Sequence, residues 1–242
     1  MPADGGAATG APTVGAVIPA AGSGRRLGGA PKQYRTLGDA PVLIQTLRAF
    51  ARHAEVGPLV AVVAPEAVAE ASAQLAAFGL DAVDVVAGGA SRQASVGAGL
   101  AALGGVDLAL IHDAARPFVS ARLISDVIAA AHAHGAAAAA LPVADTLRQG
   151  GDGPLFGATV PRDGLWAMQT PQGARLGWLR RAYGHTRATA TDEAGLLQAV
   201  GYGVRIVTGD ARNRKITEPS DWALAEALWP AWAAEMRKDE GD

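Results

Sequence analysis

Val17-Ile-Pro-Ala-Ala-Gly-Ser-Gly-Arg-Arg-Leu-Gly-Gly-Ala-Pro-Lys-Gln-Tyr34 is the stretch whose reading decides the fold. Val14, Ala16, Val17 and Ile18 form an apolar run that reads as a buried strand. It breaks directly into a segment carrying Gly22, Gly24, Gly28 and Gly29 together with Arg25, Arg26 and Lys32. Glycine lets backbone N–H groups approach an anion closely, and the cations neutralise it, so the segment reads as a loop built for a phosphate chain. Two better-known phosphate loops are excluded. Leu27 stands three residues after Gly24, where the dinucleotide pattern needs glycine, and no Gly-Lys-Ser/Thr occurs here for the Walker pattern.

Outward from this stretch the chain alternates between two patterns. Pro41 to His53 places Val42, Ile44, Leu47 and Phe50 near helical spacing, and Leu59 to Ala64 is a short continuous apolar run. The alternation continues with a helix over Glu66 to Phe78, a strand over Val83 to Val86, a helix over Ser91 to Leu103, a strand over Leu108 to Ile111 and a helix over Leu123 to His134. Ala136 to Val143 reads as the next strand; alanine also favours helix, so this run could extend the preceding helix, with Gly135 as the stop between them. Strands without polar alternation, separated by helices, imply an α/β fold: a Rossmann-like sheet, mostly parallel, with helices on both faces and a ligand at the carboxyl ends of the strands.

The rhythm breaks after Val143. A Gly-Gly-Asp-Gly-Pro turn cluster is flanked by two β-prone arms, Thr146 to Arg148 and Leu155 to Val160. Such a protruding β-arm is marginal alone in water, so it is expected to pack against another subunit, the alternative being a free surface hairpin. Beyond it, Arg175 to His185 and Asp192 to Val200 read as helices, the latter with Thr191 as N-cap; Val204 to Val207 reads as a strand and Ser220 to Met236 as a closing helix.

Size and composition bound the rest. At 242 residues the chain suits a single domain over 13–236, with a dimerisation arm at about 144–168, a disordered lead-in over 1–12 and a tail over 237–242. Half the residues are hydrophobic but only 5% are aromatic, which implies a core of small, closely packed side chains. A net charge of -2 gives no support to broad nucleic-acid or membrane binding. The absence of cysteine excludes disulfides and thiolate chemistry and fits a cytoplasmic protein. The first dozen residues lack the features of a signal peptide, and no uninterrupted apolar run reaches the ~18 residues of a membrane span.

Eight motifs occur in order: the glycine loop, Gly88-Gly89-Ala-Ser-Arg92-Gln-Ala-Ser95-Val, Ile111-His-Asp113-Ala-Ala-Arg116-Pro117, Pro142-Val-Ala-Asp145-Thr146, Arg162-Asp-Gly-Leu-Trp166, Thr170-Pro-Gln172, Ala190-Thr191-Asp192-Glu193 and Arg214-Lys215-Ile-Thr. The glycine loop resembles that of nucleotidyltransferases. Together, from about Thr13 to Trp229, the motifs resemble the 2-C-methyl-D-erythritol 4-phosphate cytidylyltransferases of the non-mevalonate isoprenoid route.

The resemblance implies transfer of the cytidylyl group of CTP to the polyol phosphate, with pyrophosphate released and Mg2+ accompanying CTP. It assigns Arg26 and Lys32 to the transition state at the α-phosphate, and Arg162 and Lys215 to placing the second phosphate. Ala20, Ala21, Gly22, Gly24, Gly89, Arg92, Ser95, Asp113 and Ala114 are implied to hold the nucleotide. Asp113, Arg116, Thr146, Arg162, Thr191 and Lys215 are implied to contact the polyol phosphate, and Asp113 is also a candidate magnesium ligand. Three bland readings stand beside these: Ser91 as a helix cap, Asp113 as a cap of the next helix, and Asp113 with Arg116 as a plain ion pair. The family often has an acidic residue where Ala90 stands, which leaves base reading near that position to backbone groups. A homodimer with the arm entering the neighbouring subunit's site is also implied.

The attacking group is an ionised phosphate, so no general base is needed and the task is to hold two polyanions in line. The rival readings are a ribitol 5-phosphate cytidylyltransferase, whose core motifs are similar, and a non-catalytic nucleotide-binding module. The retained cations argue against the module, and the failed dinucleotide pattern argues against a dehydrogenase. A chain ending at Asp242 is expected to leave no room for a fused second enzyme. His132, His134, Trp222, Trp229 and Trp232 read as structural residues.

Overall fold

The computed structural model describes residues 10–22, 32–185 and 190–239; Gly24, Arg25 and Arg26 of the glycine loop and residues 1–9 of the expected lead-in lie outside the described residues. The chain runs β1 (Val14–Pro19), β2 (Thr36–Leu37), β3 (Ala40–Pro41), α1 (Val42–Ala51), β4 (Leu59–Val63), α2 (Val68–Ala77), β5 (Val83–Ala87), α3 (Arg92–Ala102), β6 (Leu108–Ile111), α4 (Ala121–His134), β7 (Ala136–Pro142), β8 (Leu147–Gly150), β9 (Phe156–Val160), β10 (Trp166–Arg175), α5 (Leu176–His185), α6 (Glu193–Ala199), β11 (Arg205–Thr208) and α7 (Pro219–Asp239). A seven-stranded sheet has the order β11-β7-β10-β6-β1-β4-β5, in which β10 alone runs antiparallel to its neighbours.

Residue alternation along the strands builds two cores. Val14, Ala16 and Ile18 of β1 face α1, α2 and α4, while Val17 faces α3, α5 and α6. Leu43, Ile44, Leu47 and Phe50 of α1 are fully buried, and each such side chain contributes about 1.5–3 kcal/mol of transfer free energy. A third cluster packs Trp222 and Trp232 of α7 on Leu37, Val42 and Phe118, so these tryptophans are packing residues. Among the described residues no helix is long and apolar enough to cross a membrane.

The alanine run from 136 to 140 is a strand, buried throughout. Gly135 stops α4 in the left-handed region at φ 86°, and a Cβ there would also strike the Trp178 ring. β7 pairs with β10 across Ala136–Ala174 and Ala137–Gly173, and the bare Gly173 lets Leu110 of β6 and Val127 of α4 close over the sheet, since a Cβ there would sit 2.6 Å from Leu110 Cδ2 and 3.2 Å from Val127 Cγ1.

Three sequence expectations are corrected. Trp166 to Arg175 is a central strand that sequence reading did not assign. The N-cap of α6 is Asp192, whose carboxylate accepts the Gly195 N–H at 3.0 Å, and not Thr191; an ionised acceptor is the stronger cap beside the helix dipole. The closing helix begins at Pro219 and continues to Asp239, beyond Met236. The arm forms as its own two-stranded antiparallel sheet, β8 with β9.

Candidate active site

The carboxyl ends of β1 and β6 lie side by side, because Val17 pairs with Ile111 in the parallel ladder. The two segments that follow are tied together. The Ala20 N–H donates to Val62 C=O of β4 at 2.6 Å, and the Ala114 N–H donates to Pro19 C=O at 3.4 Å. Thr46 of α1 donates its hydroxyl to Ala114 C=O at 2.9 Å, fixing the second segment from below. A cavity of about 550 Å³ opens here, lined on one side by Ala20, Ala21, Gly22 and Lys32 and on the other by Gly89, Arg92, Ser95, Asp113, Ala114 and Lys215.

Gly88 is what lets the β5–α3 turn approach the β1 loop. A Cβ there would sit 2.7 Å from the Ala21 methyl and 2.8 Å from Ser95 Oγ. Ser91 caps α3, accepting the Ala94 N–H at 3.0 Å, and Ser95 Oγ accepts the Gly89 N–H at 3.2 Å. Both serines thus hold the turn.

Asp113 is the electrostatic centre. Lys215 Nζ stands 2.9 Å from Oδ2, Arg92 Nε 3.2 Å from Oδ1 and Arg116 Nε 3.8 Å from Oδ2. Burial alone would push this carboxyl up, but Lys215, Arg92 and Arg116 outweigh it and hold it well below the usual carboxylate range. Arg92 in turn makes a two-pronged pair with buried Glu193 at 2.8 and 3.0 Å. Burial opposes the charge on Arg92, yet Glu193 and Asp113 raise its pKa above its ordinary value. The Tyr183 hydroxyl donates to Glu193 at 2.9 Å, and burial with the Glu193 charge pushes that phenol up.

His112 fixes the Asp113 backbone from behind. Its Nε2 lies 3.0 Å from Arg116 C=O, which can only accept, so the proton sits on Nε2. Nδ1 then accepts the Thr170 hydroxyl at 3.1 Å, and Thr170 Oγ1 accepts the Asp113 N–H at 3.1 Å. Complete burial lowers the His112 pKa to about 4 and keeps the ring neutral.

Of the expected site residues, Ala20, Ala21, Gly22, Lys32, Gly89, Arg92, Ser95, Asp113, Ala114 and Lys215 converge on this cavity. Lys32 Nζ donates to Ile216 C=O at 2.7 Å, which ties it to the residue that follows Lys215. Arg162 and Thr146 stand on or beside the arm and are exposed; Arg162 donates to Ala144 C=O. Thr191 is exposed next to the α6 cap. Arg116, expected at the polyol phosphate, instead donates Nη1 to Asn213 C=O at 2.8 Å and Nη2 to Met168 C=O at 3.4 Å. With its side chain only 11% exposed, it is a brace and an ion-pair partner of Asp113.

In this arrangement Asp113 is an ion-pair partner. Both of its oxygens already face cations, and among the described residues no group of three His, Cys, Asp or Glu converges to hold a metal. Sequence reading missed the supporting roles of Gln33, Glu193 and Tyr183. For Glu193 the available signal was its place in the Thr191-Asp192-Glu193 motif; for Gln33 it was adjacency to Lys32.

A family model described as 2-C-methyl-D-erythritol 4-phosphate cytidylyltransferase matches residues 14–230. A curated relative of that name from Salinibacter ruber is 52% identical, over 89% of this chain and 92% of its own length. A crystal structure of 4-diphosphocytidyl-2C-methyl-D-erythritol synthase superposes with a TM-score of 0.77 at 37% identity, covering 89% of this chain and 97% of the other. The 2-C-methyl-D-erythritol 4-phosphate cytidylyltransferase of Thermus thermophilus does so with a TM-score of 0.74 at 40% identity, over 88% and 96%. With the match running from the first strand into the last helix, the chain belongs to the 2-C-methyl-D-erythritol 4-phosphate cytidylyltransferase family.

Proposed function

We propose that the protein transfers the cytidylyl group of CTP to 2-C-methyl-D-erythritol 4-phosphate, giving 4-diphosphocytidyl-2-C-methyl-D-erythritol and pyrophosphate. The observation that carries this reading is the gathering of Lys32, Arg92 and Lys215 around one cavity at the carboxyl ends of β1 and β6. A binding module needs fewer cations than a site that joins two phosphates.

In this reading an oxygen of the polyol phosphate attacks the α-phosphorus of CTP, the bond from that phosphorus to the bridging oxygen breaks, and pyrophosphate leaves with its electrons. Ala20, Ala21, Gly22 and Gly89 hold the nucleotide through backbone groups, with Gly24 continuing the loop. Ser95 and Arg92 support the base and ribose side. Lys32, with Arg26, neutralises charge that develops at the α-phosphate, a contribution of about 3–4 kcal/mol for a well-placed cation by analogy with oxyanion donors. Lys215, released from Asp113 by the greater charge of a phosphate, and Arg162 place the attacking group. Mg2+ would be carried by CTP more than by protein side chains, since magnesium dehydrates reluctantly, and would supply further neutralisation of the phosphate charge.

The arm supports a homodimer. Leu155 and Phe156 at its tip are 69% and 81% exposed, and Leu165, Trp166 and Met168 continue an apolar strip at its base. Seating on a second copy would bury this strip and bring Arg162 and Thr146 to the partner's cavity. A cytoplasmic location goes with substrates that are free, highly charged metabolites. Pyrophosphate release with CTP, tested against the polyol phosphate and ribitol 5-phosphate side by side, checks the assignment. Selective release with the former is expected; release with ribitol 5-phosphate alone would reassign the acceptor, and release with neither would leave a binding module.

A further inference from the structure

The Gln33 side chain is 5% exposed and spends both hydrogens of its amide on the β1 loop. Nε2 donates to Ala20 C=O at 2.8 Å and to Gly22 C=O at 2.9 Å. Both partners can only accept, so the amide orientation is fixed by chemistry, with Nε2 and not Oε1 facing the loop. Ala20 is also pinned through its N–H, which donates to Val62 C=O of β4. Residue Ala20 is therefore held on both flanks, its N–H by Val62 and its C=O, which belongs to the peptide joining Ala20 and Ala21, by Gln33.

A trans peptide carries its N–H opposite to its C=O, so turning the Ala20 carbonyl onto Gln33 turns the Ala21 N–H the other way. Among the described residues neither the Ala21 nor the Gly22 N–H donates to a protein acceptor, and both residues line the cavity. Half-buried Ala21 and exposed Gly22 thus present N–H groups to the cavity at a geometry fixed by Gln33, which is what an anion requires. Gln33 follows directly on Lys32, so the same short turn delivers a phosphate-neutralising cation and the clamp that orients the loop.

We infer that Gln33, which itself lines the cavity but commits both amide hydrogens to the loop, is a positioning residue for the nucleotide's phosphates: it acts by aiming backbone donors of the β1 loop at the triphosphate. This rests on the reading of the cavity as the CTP site. It assigns Gln33 to the phosphates and not to the base, which lies against the Gly89–Ser95 side.

The test compares CTP with cytidine, which lacks phosphates, by calorimetric titration and competition. Gln33→Glu keeps the shape but places a carboxylate against two carbonyls; Gln33→Met keeps the bulk without donors or charge. The expected result is a tenfold or greater loss of CTP affinity with cytidine affinity within twofold of the parent, and a KM for the polyol phosphate within twofold. Equal loss of CTP and cytidine in both variants would make Gln33 a strut of the whole site and overturn the inference. So would a parent-like preference for CTP over cytidine in both variants. If the unaltered protein itself binds CTP no better than cytidine, the reading of the cavity fails, and the inference falls with it for that separate reason.

Discussion

Lys215 Nζ lies 2.9 Å from Asp113 Oδ2, joining a residue after β11 to the end of β6 at the cavity wall. The carboxylate stands where three cations meet and balances them in the absence of a polyanion. Its pKa is held below the ordinary 3.8 by Lys215, Arg92 and Arg116 against the opposing effect of burial. The unfolded chain thus binds its proton at higher pH than the native state does. The stability this gives is present above about pH 3.8 and is lost as pH falls below it. Asp113→Asn should cost about 3 kcal/mol near neutrality, and the gap from the parent should close as urea denaturation is repeated at successively lower pH below about 4. A gap that stays constant down to pH 2 would contradict this role.

The Arg92–Glu193 pair is buried on its acidic side and two-pronged. Glu193→Gln leaves Arg92 with Asp113 alone and removes the acceptor charge facing Tyr183. Since Arg92 keeps 30% of its side chain exposed, the cost should fall at about 3 kcal/mol, the low end for a broken buried pair. The KM for CTP should rise in parallel. Equilibrium denaturation and initial rates check both, and a variant as stable as the parent would refute the pairing.

His112 is neutral with a pKa of about 4, against 6.5 in an open chain. Burial causes the shift; the hydrogen bond to Arg116 C=O and the Asp113 charge oppose it, and the Arg116 guanidinium charge adds a smaller push in the same direction as burial. Between these values the unfolded state takes up a proton that the native state refuses. Stability should therefore decline by about 3 kcal/mol as pH drops from 6.5 to 4. His112→Gln should flatten that part of the pH–stability curve; an unchanged slope would show that His112 does not titrate there.

The arm makes a further prediction about subunits. Lys32→Ala and Arg162→Ala proteins should each be nearly inactive, Arg162→Ala chiefly through the polyol phosphate. Co-expressed, they should regain about one quarter of full activity, because each mixed dimer then holds one intact site. No recovery would mean that Arg162 serves its own subunit.

The alternating α/β rhythm was legible because β1, β4 and β6 are uninterrupted apolar runs buried on both faces. Strand β10 was not. Trp-Ala-Met-Gln-Thr-Pro-Gln-Gly-Ala-Arg has neither an apolar run nor alternation, and Pro171 sits where the ladder shifts register between Met168 and Gln172. Its polar residues are satisfied by side-chain bonds, Gln172 to Asp192 and to the Ala194 N–H, which only the folded chain supplies. The cavity's glycines and cations could be read from their order along the chain. What composition could not show is that Arg116 is committed to Asn213 and Met168, or that Gln33 closes the loop, because both facts depend on partners far apart in sequence or on carbonyl direction.

Lys32 offers the most direct test of the cavity as the place of cytidylyl transfer. Its ammonium is held by Ile216 C=O at 2.7 Å, and the role proposed for it is in the transition state more than with the bound nucleotide. Steady-state kinetics of Lys32→Ala with CTP and 2-C-methyl-D-erythritol 4-phosphate should show kcat reduced by roughly 10²–10³ while the KM for CTP moves only a few-fold. Turnover left unchanged by Lys32→Ala would contradict the assignment of this cavity to the reaction.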